Sequence, residues 1–91
     1  MRSTVERARA HNELRIYREG KLFAQCPGDA PCRDVAGKIT LDLHMDLAGT
    51  YNVMALHSDQ PIPEPVGSLD ADKRLLRRAG VQEDVETHRV Q

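Results

Sequence analysis

The stretch ITLDLHMDL, residues 39–47, constrains the fold more than any other part of this chain. Apolar side chains occupy every second position, with Thr, Asp and His between them. A period of two over this length is typical of a strand with one buried face and one wet face. The following AGT supplies a turn, and YNVMALHS, residues 51–58, returns as a second strand. We therefore predict a hairpin whose buried face carries Leu41, Leu43, Met45, Met54 and Leu56.

A second hairpin is predicted upstream, in LRIYREGKLFAQ, residues 14–25. Glu19 and Gly20 lie between two apolar segments, and Gly20 tolerates the positive φ that a tight turn needs. A two-residue turn would pair Ile16 with Phe23. A longer loop with a bulge at Gly20 would pair Ile16 with Leu22, so the pattern leaves this register open.

The remaining segments predict a linker and one helix. Residues 59–67, DQPIPEPVG, have three prolines at alternate positions, which favours an extended linker. Residues 68–80 predict a helix with Ser68 or Asp70 at its N-cap and with Gly80 ending it, where Val81 can contact Leu76. Residues 1–12 form an N-terminal segment with a short helix expected over about 4–10, and residues 81–91 a polar tail or, alternatively, a weak edge strand.

Together these elements predict a single small α+β domain over residues 1–91. Its four-stranded antiparallel sheet comprises two hairpins within residues 13–58, and the C-terminal helix packs on one face through Leu75 and Leu76. Only Tyr17, Phe23 and Tyr51 are aromatic. A core with so few large side chains rarely supplies more than about 3–5 kcal/mol at this size, so we expect a homo-oligomer or a place in a complex.

The two cysteines, Cys26 and Cys32, enclose a turn-rich segment and permit several interpretations. Zinc sites need four ligands and usually space paired cysteines by two to four residues, whereas five residues intervene here. A disulfide is geometrically feasible. The chain has no apolar run of the roughly 18 residues that cross a bilayer and no secretory signal, so we expect a cytoplasmic protein without membrane contact. In that compartment two reduced thiols are expected, with no metal and no cofactor.

Charge is segregated along the chain although the formal net charge is only −1. Residues 39–72 contain six acidic residues and no Lys or Arg. In the predicted hairpin the acidic and imidazole side chains share the wet face, and these are the predicted partner-binding residues: Asp42, His44, Asp46 and His57. A second candidate contact for a partner or a nucleic acid is the basic face of the helix: Lys73, Arg74, Arg77 and Arg78.

The pattern favours a non-enzymatic protein-binding domain, acting as an accessory, inhibitor or assembly subunit through an acidic sheet face. Its size and acidic block are compatible with a phage-encoded inhibitor of a host nucleic-acid-binding complex, such as an anti-CRISPR protein. One alternative is a divalent-metal module using Asp42, His44 and His57. Another is a nucleic-acid accessory protein using the basic helix 73–78, although a sequence pI of about 6.4 weighs against it. No arrangement of nucleophile, glycine-rich loop and second carboxylate cluster indicates an enzyme.

Overall fold

The structure is a computed structural model that describes residues 2–6, 9–26, 28, 32–35, 38–42 and 47–91. Within these residues the chain forms seven strands and one helix. In chain order they are β1 (Arg2–Glu6), β2 (His11–Arg18), β3 (Lys21–Cys26), β4 (Cys32–Val35), β5 (Lys38–Asp42), β6 (Gly49–Ser58), α1 (Leu69–Arg78) and β7 (Gln82–Val90). The α+β class and the four-stranded antiparallel sheet are confirmed.

The composition of that sheet differs from the prediction. Its strand order is β3-β2-β6-β7, and every neighbouring pair is antiparallel. The predicted hairpin of β5 with β6 is wrong, because β5 pairs with β1 and β4 in a separate three-stranded sheet. The place expected for β5 beside β6 is taken by β7, from the segment predicted as a polar tail with an edge strand as the alternative.

The expected N-terminal helix over about residues 4–10 is also wrong. Residues 2–6 form β1, which runs antiparallel to β5 with Thr4 opposite Thr40. The hydroxyl oxygens of these two threonines lie 3.2 Å apart. Pairing with an apolar strand evidently outweighs the capping-box spacing, since a short helix with few apolar residues has little to bury.

The first hairpin has a register that neither sequence alternative gave. Glu19 and Gly20 form a two-residue turn with positive φ at both positions, 50° and 77°, as a type I′ turn requires. A β-bulge then shifts the pairing, so that Tyr17 lies opposite Leu22 and Ile16 opposite Ala24. Phe23 is the extra residue.

The four-stranded sheet is the middle of three layers. One face packs against β5, with a core of Leu14, Ile16, Ala24, Cys26, Ile39, Leu41, Tyr51 and Val53. The opposite face packs under α1, with a core of Tyr17, Met54, Leu56, Leu76 and Val81. The predicted core is therefore divided, because Leu41 lies on the side of the sheet away from Met54 and Leu56. Leu43 and Met45 lie outside the described residues.

Helix α1 confirms the predicted helix, and its C-terminus has the predicted geometry. Gly80 has φ 72°, and the N–H of Val81 donates to the carbonyl of Leu76 at 3.0 Å, as in a Schellman motif. At the other end Ser68 holds the N-cap position without a side-chain hydrogen bond. Leu75 is only half-buried, and the acidic Asp72 is buried beside Leu76.

The linker lies against the sheet and covers the start of β3. The N–H of Leu22 donates to the carbonyl of Gly67, and the N–H of Leu69 to that of Gly20, both at 2.8 Å. Ser68 forms a bridge to Lys21 between these two bonds. The linker therefore occupies the outer edge of β3 at its first residues.

The cysteine prediction of two reduced thiols is wrong in this structure. Cys26 and Cys32 form a disulfide with a Cα–Cα distance of 5.7 Å, within the usual range for such bridges. It joins the end of β3 in the four-stranded sheet to the start of β4 in the other sheet. Over the described residues, no helix has both the length and the apolar character needed to cross a membrane.

Candidate protein-binding surface

Among the elements whose exposure the structure describes along their whole length, β7, the last strand of the four-stranded sheet, is the most exposed. All nine of its residues pair with β6, from Gln82 opposite His57 to Val90 opposite Gly49. Seven of the nine are exposed, and only Glu83 and Val90 are half-buried. In the part of the chain that the structure describes, no strand pairs with the outer edge of β7. We call this outer edge, residues 82–90, the β7 edge.

The two faces of β7 follow from its register with β6. Glu83 and Val85 lie opposite Leu56 and Met54, which pack under α1. Because opposed residues of a sheet point to the same face, alternate residues from 83 to 89 share the helix side. Residues 84, 86, 88 and 90 share the other side, and Val90 packs against the core beneath β5.

Charge is unevenly distributed along β7. Its first half has three acidic residues, Glu83, Asp84 and Glu86, and its second half has His88 and Arg89. The His88 ring lies 3.3 Å from the Glu86 carboxylate. Glu83 is 3.9 Å from the Arg77 guanidinium, and its other carboxylate oxygen is buried without a hydrogen-bond partner among the described residues. A buried acceptor without a hydrogen-bond partner lowers the stability of the fold.

A polar cluster behind the opposite half of the sheet fixes α1 in place. The Tyr17 hydroxyl donates to Asp72 at 2.6 Å, and both side chains are fully buried. The same carboxylate accepts the N–H of Val66 at 2.7 Å and of Gly67 at 3.3 Å. Asp72 therefore holds a strand, the linker and its own helix together.

Arg15 and Glu13 extend this cluster along β2. The Arg15 guanidinium is buried, bonds the Glu13 carboxylate and also donates to the carbonyl of Pro63. Burial raises the pKa of Glu13, and Arg15 opposes that shift only in part. Burial by itself would lower the pKa of Arg15, but the Glu13 carboxylate leaves it raised. Burial and then the bond to Asp72 raise the pKa of Tyr17, so this phenol stays neutral at physiological pH.

The structure separates two of the predicted partner-binding residues. Asp42 is exposed at the end of β5, whereas His57 is buried in β6 with its ring 2.7 Å from the Asn12 side chain. The predicted placement of His57 on the strand next to Asp42 is therefore wrong, because β5 and β6 belong to different sheets. His44 and Asp46 lie outside the described residues, so their part in partner binding stays a prediction.

The structure also does not form the metal site that the sequence offered as an alternative function. It required Asp42, His44 and His57 on neighbouring strands, and Asp42 and His57 are not so placed. Among the residues that the structure describes, no three His, Cys, Asp or Glu side chains are grouped closely enough to hold a metal ion. Cys26 and Cys32 already bond each other.

The basic residues of α1 are mostly open to solvent. Arg74, Arg77 and Arg78 are exposed and Lys73 is half-buried. Arg77 approaches Glu83 of β7, which brings the end of the basic helix beside the acidic half of the β7 edge. Nucleic-acid or partner contact through these residues stays a prediction.

Two features were not singled out from the sequence as parts of a site. The β7 edge had only a weak signal, because neither of its faces is deeply buried and its apolar residues, Val85 and Val90, do not alternate. The Tyr17–Asp72 bond had no signal, since an acid in the first turn of a helix suggests capping.

Comparison of the chain with protein-family models, curated proteins and solved structures gives no match.

Proposed function

We propose that this protein is a non-enzymatic protein-binding domain, an accessory, inhibitor or assembly subunit, that binds through the β7 edge. The observation that carries the proposal is a strand of nine residues that pairs with β6 throughout and whose outer edge no strand of the described residues occupies. Such an edge presents a row of backbone donors and acceptors to which another strand can add.

The sequence of β7 supports this use of its edge. Natural proteins protect edges that must stay unpaired with charged side chains, above all Lys, and with Pro, bulges or very short strands. Residues 82–90 contain neither Pro nor Lys, and the register with β6 runs without a shift. The charged side chains that are present, Glu83, Asp84 and Glu86, would instead select a partner strand with basic residues opposite them.

The narrower parts of the sequence interpretation stay predictions. They are the phage-encoded inhibitor of a host nucleic-acid-binding complex, the surface centred on Asp42 and Asp46, and a cytoplasmic location. The Cys26–Cys32 disulfide weighs against a cytoplasmic location, because such bonds are rare in the cytosol of most organisms.

The test uses two proline variants, Glu86→Pro and Thr87→Pro. Neighbouring residues of a strand point their N–H groups to opposite edges, so one variant removes a bond to β6 and the other removes a donor from the β7 edge. The melting temperature identifies them, since only the loss of a bond to β6 lowers it strongly. The variant that keeps the higher melting temperature has the blocked edge, and the other is its matched control.

Immobilised wild type and both variants are then compared for protein capture from native host extract by quantitative mass spectrometry. A partner supports the proposal only if the blocked-edge variant loses it and the purified partner rebinds the wild type. Partners captured equally by wild type and the blocked-edge variant would place binding elsewhere on the surface and overturn the proposal.

A further inference from the structure

The charge sequence of β7 is complementary to its own reverse. Counted outward from Glu86, the residues at equal distances are Val85 and Thr87, then Asp84 and His88, then Glu83 and Arg89. An acid on one side thus matches an imidazole or a guanidinium on the other at two successive positions. This symmetry is what an antiparallel pair of identical strands requires.

We propose that the β7 edge pairs with the β7 edge of a second copy, antiparallel and with the two-fold axis at Glu86. The inference rests on the proposed function, because it takes the same edge as the binding surface and names its partner. The two sheets would then continue as one eight-stranded sheet. The interface is isologous, so each pair of two different residues, such as Asp84 with His88, occurs twice.

The face of every side chain is consistent with this register. Glu83 and Arg89 both lie on the helix side, whereas Asp84 and His88 both lie on the other side. Directly opposed residues in antiparallel strands have Cβ atoms about 4.5–5.5 Å apart, which is close enough for ion pairs. Arg89 of the second copy is thereby brought alongside Glu83, which is half-buried on the same side of the sheet.

Neighbouring registers are worse. An axis at Val85 places Asp84 opposite Glu86 and so creates two like-charge pairs. An axis at Thr87 pairs Glu86 with His88 but places Asp84 opposite Val90 and Val85 opposite Arg89. Registers shifted by a single residue would oppose side chains from different faces and do not satisfy the symmetry.

The layers of the fold leave the approach open. Among the described residues the three-stranded sheet has most of its contacts with β2 and β3, and Val90 is the residue of β7 that packs against the core beneath it. Asp84, Glu86, Thr87 and His88 are all exposed. Glu86 meets Glu86 of the second copy, and this like-charge pair on the axis gives the register a distinctive test.

The experiment measures the monomer–dimer constant by sedimentation equilibrium at low ionic strength. Glu86→Gln removes the like-charge pair and should tighten the dimer about threefold. In the register centred on Thr87, where Glu86 faces His88, the same substitution would weaken the dimer. Asp84→Lys should weaken the dimer about tenfold, because it replaces the acid opposite His88 with a cation at both symmetric positions. The double variant with Asp84→Lys and His88→Glu should recover most of the loss, since the exchanged charges match again.

Asp70→Lys is the matched control, with the same charge change at an exposed site on α1. It lies beside β3, away from the β7 edge, and should leave the dimer constant unchanged. Circular dichroism verifies that each variant is folded. A wild type that is monomeric at about 0.5 mM, well above the range of specific protein affinities, would overturn the inference. A dimer that Glu86→Gln does not tighten, or that the double variant does not recover, would overturn it too.

The outcomes also separate this inference from the proposed function. A monomeric wild type that captures a partner, and loses it in the blocked-edge proline variant, refutes self-pairing alone. A monomeric wild type that captures the same proteins as the blocked-edge proline variant refutes both self-pairing and the proposed function.

Discussion

Removing the Asp72 carboxylate should destabilise this protein more than its position on a helix suggests. The carboxylate accepts three hydrogen bonds, from the Tyr17 hydroxyl at 2.6 Å, from the Val66 N–H at 2.7 Å and from the Gly67 N–H at 3.3 Å. Hydrogen bonds to a charged group contribute roughly 1.5–3 kcal/mol each. The third bond is long and contributes less.

The loss in the free energy of unfolding depends on how many of the three hydrogen-bond donors find a new acceptor once the Asp72 carboxylate is removed. Tyr17 is fully buried, so losing its acceptor costs about 1–3 kcal/mol of desolvation. Val66 is 67% exposed, and water can replace part of what its N–H loses. We expect Asp72→Ala to lower the free energy of unfolding by about 4 kcal/mol, and Asp72→Asn, which keeps one acceptor oxygen, by about 2 kcal/mol. A domain of this length has roughly 5–14 kcal/mol in total.

Urea unfolding followed by circular dichroism measures the effect. With a slope near 1–2 kcal/mol per molar, Asp72→Asn should lower the midpoint by roughly 1–2 M. A double-mutant cycle with Tyr17→Phe should give a coupling energy of about 1 kcal/mol or more. Asp70→Asn is the control, since Asp70 is exposed on the same helix and its loss should stay within about 0.5 kcal/mol. An Asp72→Asn midpoint equal to that of Asp70→Asn would refute the structural role assigned to this carboxylate.

Three further predictions concern the interior. Because the pKa of Tyr17 is raised in the folded state, the stability that its neutral phenol contributes is complete below the ordinary tyrosine pKa of about 10 and is lost as pH rises above it. The melting temperature of Tyr17→Phe should therefore fall less above about pH 10 than that of wild type. A fall with pH equal to that of the control Tyr51→Phe would contradict this prediction. Thiol titration should count no free thiol at Cys26 and Cys32 until reductant is added, and reduction should lower the unfolding free energy by about 2 kcal/mol for so short a loop; two reactive thiols in the untreated native protein would show that the bridge is absent. Leu41→Ala should cost about 2–5 kcal/mol because Leu41 is fully buried between the sheets, and an unchanged melting temperature would mean that β5 does not pack there.

The sequence predicted several elements well and their partners poorly. The alternation in residues 39–47 correctly indicates a strand with Leu41 buried, and residues 38–42 form β5. Alternation specifies which face is buried, however, and says nothing about which strand lies alongside. The short turn predicted at Gly49 favoured a hairpin with β6, the next strand in sequence, whereas β5 pairs with β1 and β4.

The candidate site was harder to predict because its signals are weak by nature. An edge strand that buries little has no need of apolar alternation, so β7 resembles a polar tail. Asp72 resembles an ordinary first-turn acid, and only the tertiary fold reveals Tyr17 next to it. The thiol prediction failed for a different reason, because it depended on an assumed compartment and not on the residues around Cys26 and Cys32.

The contact of the linker with β3 has a consequence for aggregation. A sheet with two open edges can add copies from both sides and grow into a fibre, since each addition regenerates a free edge. Here the Gly67 carbonyl and the Ser68 bridge occupy the start of β3 at Lys21 and Leu22. An incoming strand of the length of β7 would have to displace them before it could pair along β3. If copies pair through the β7 edge, the linker would thereby obstruct the second step of growth, the edge-to-edge addition of a further chain along β3.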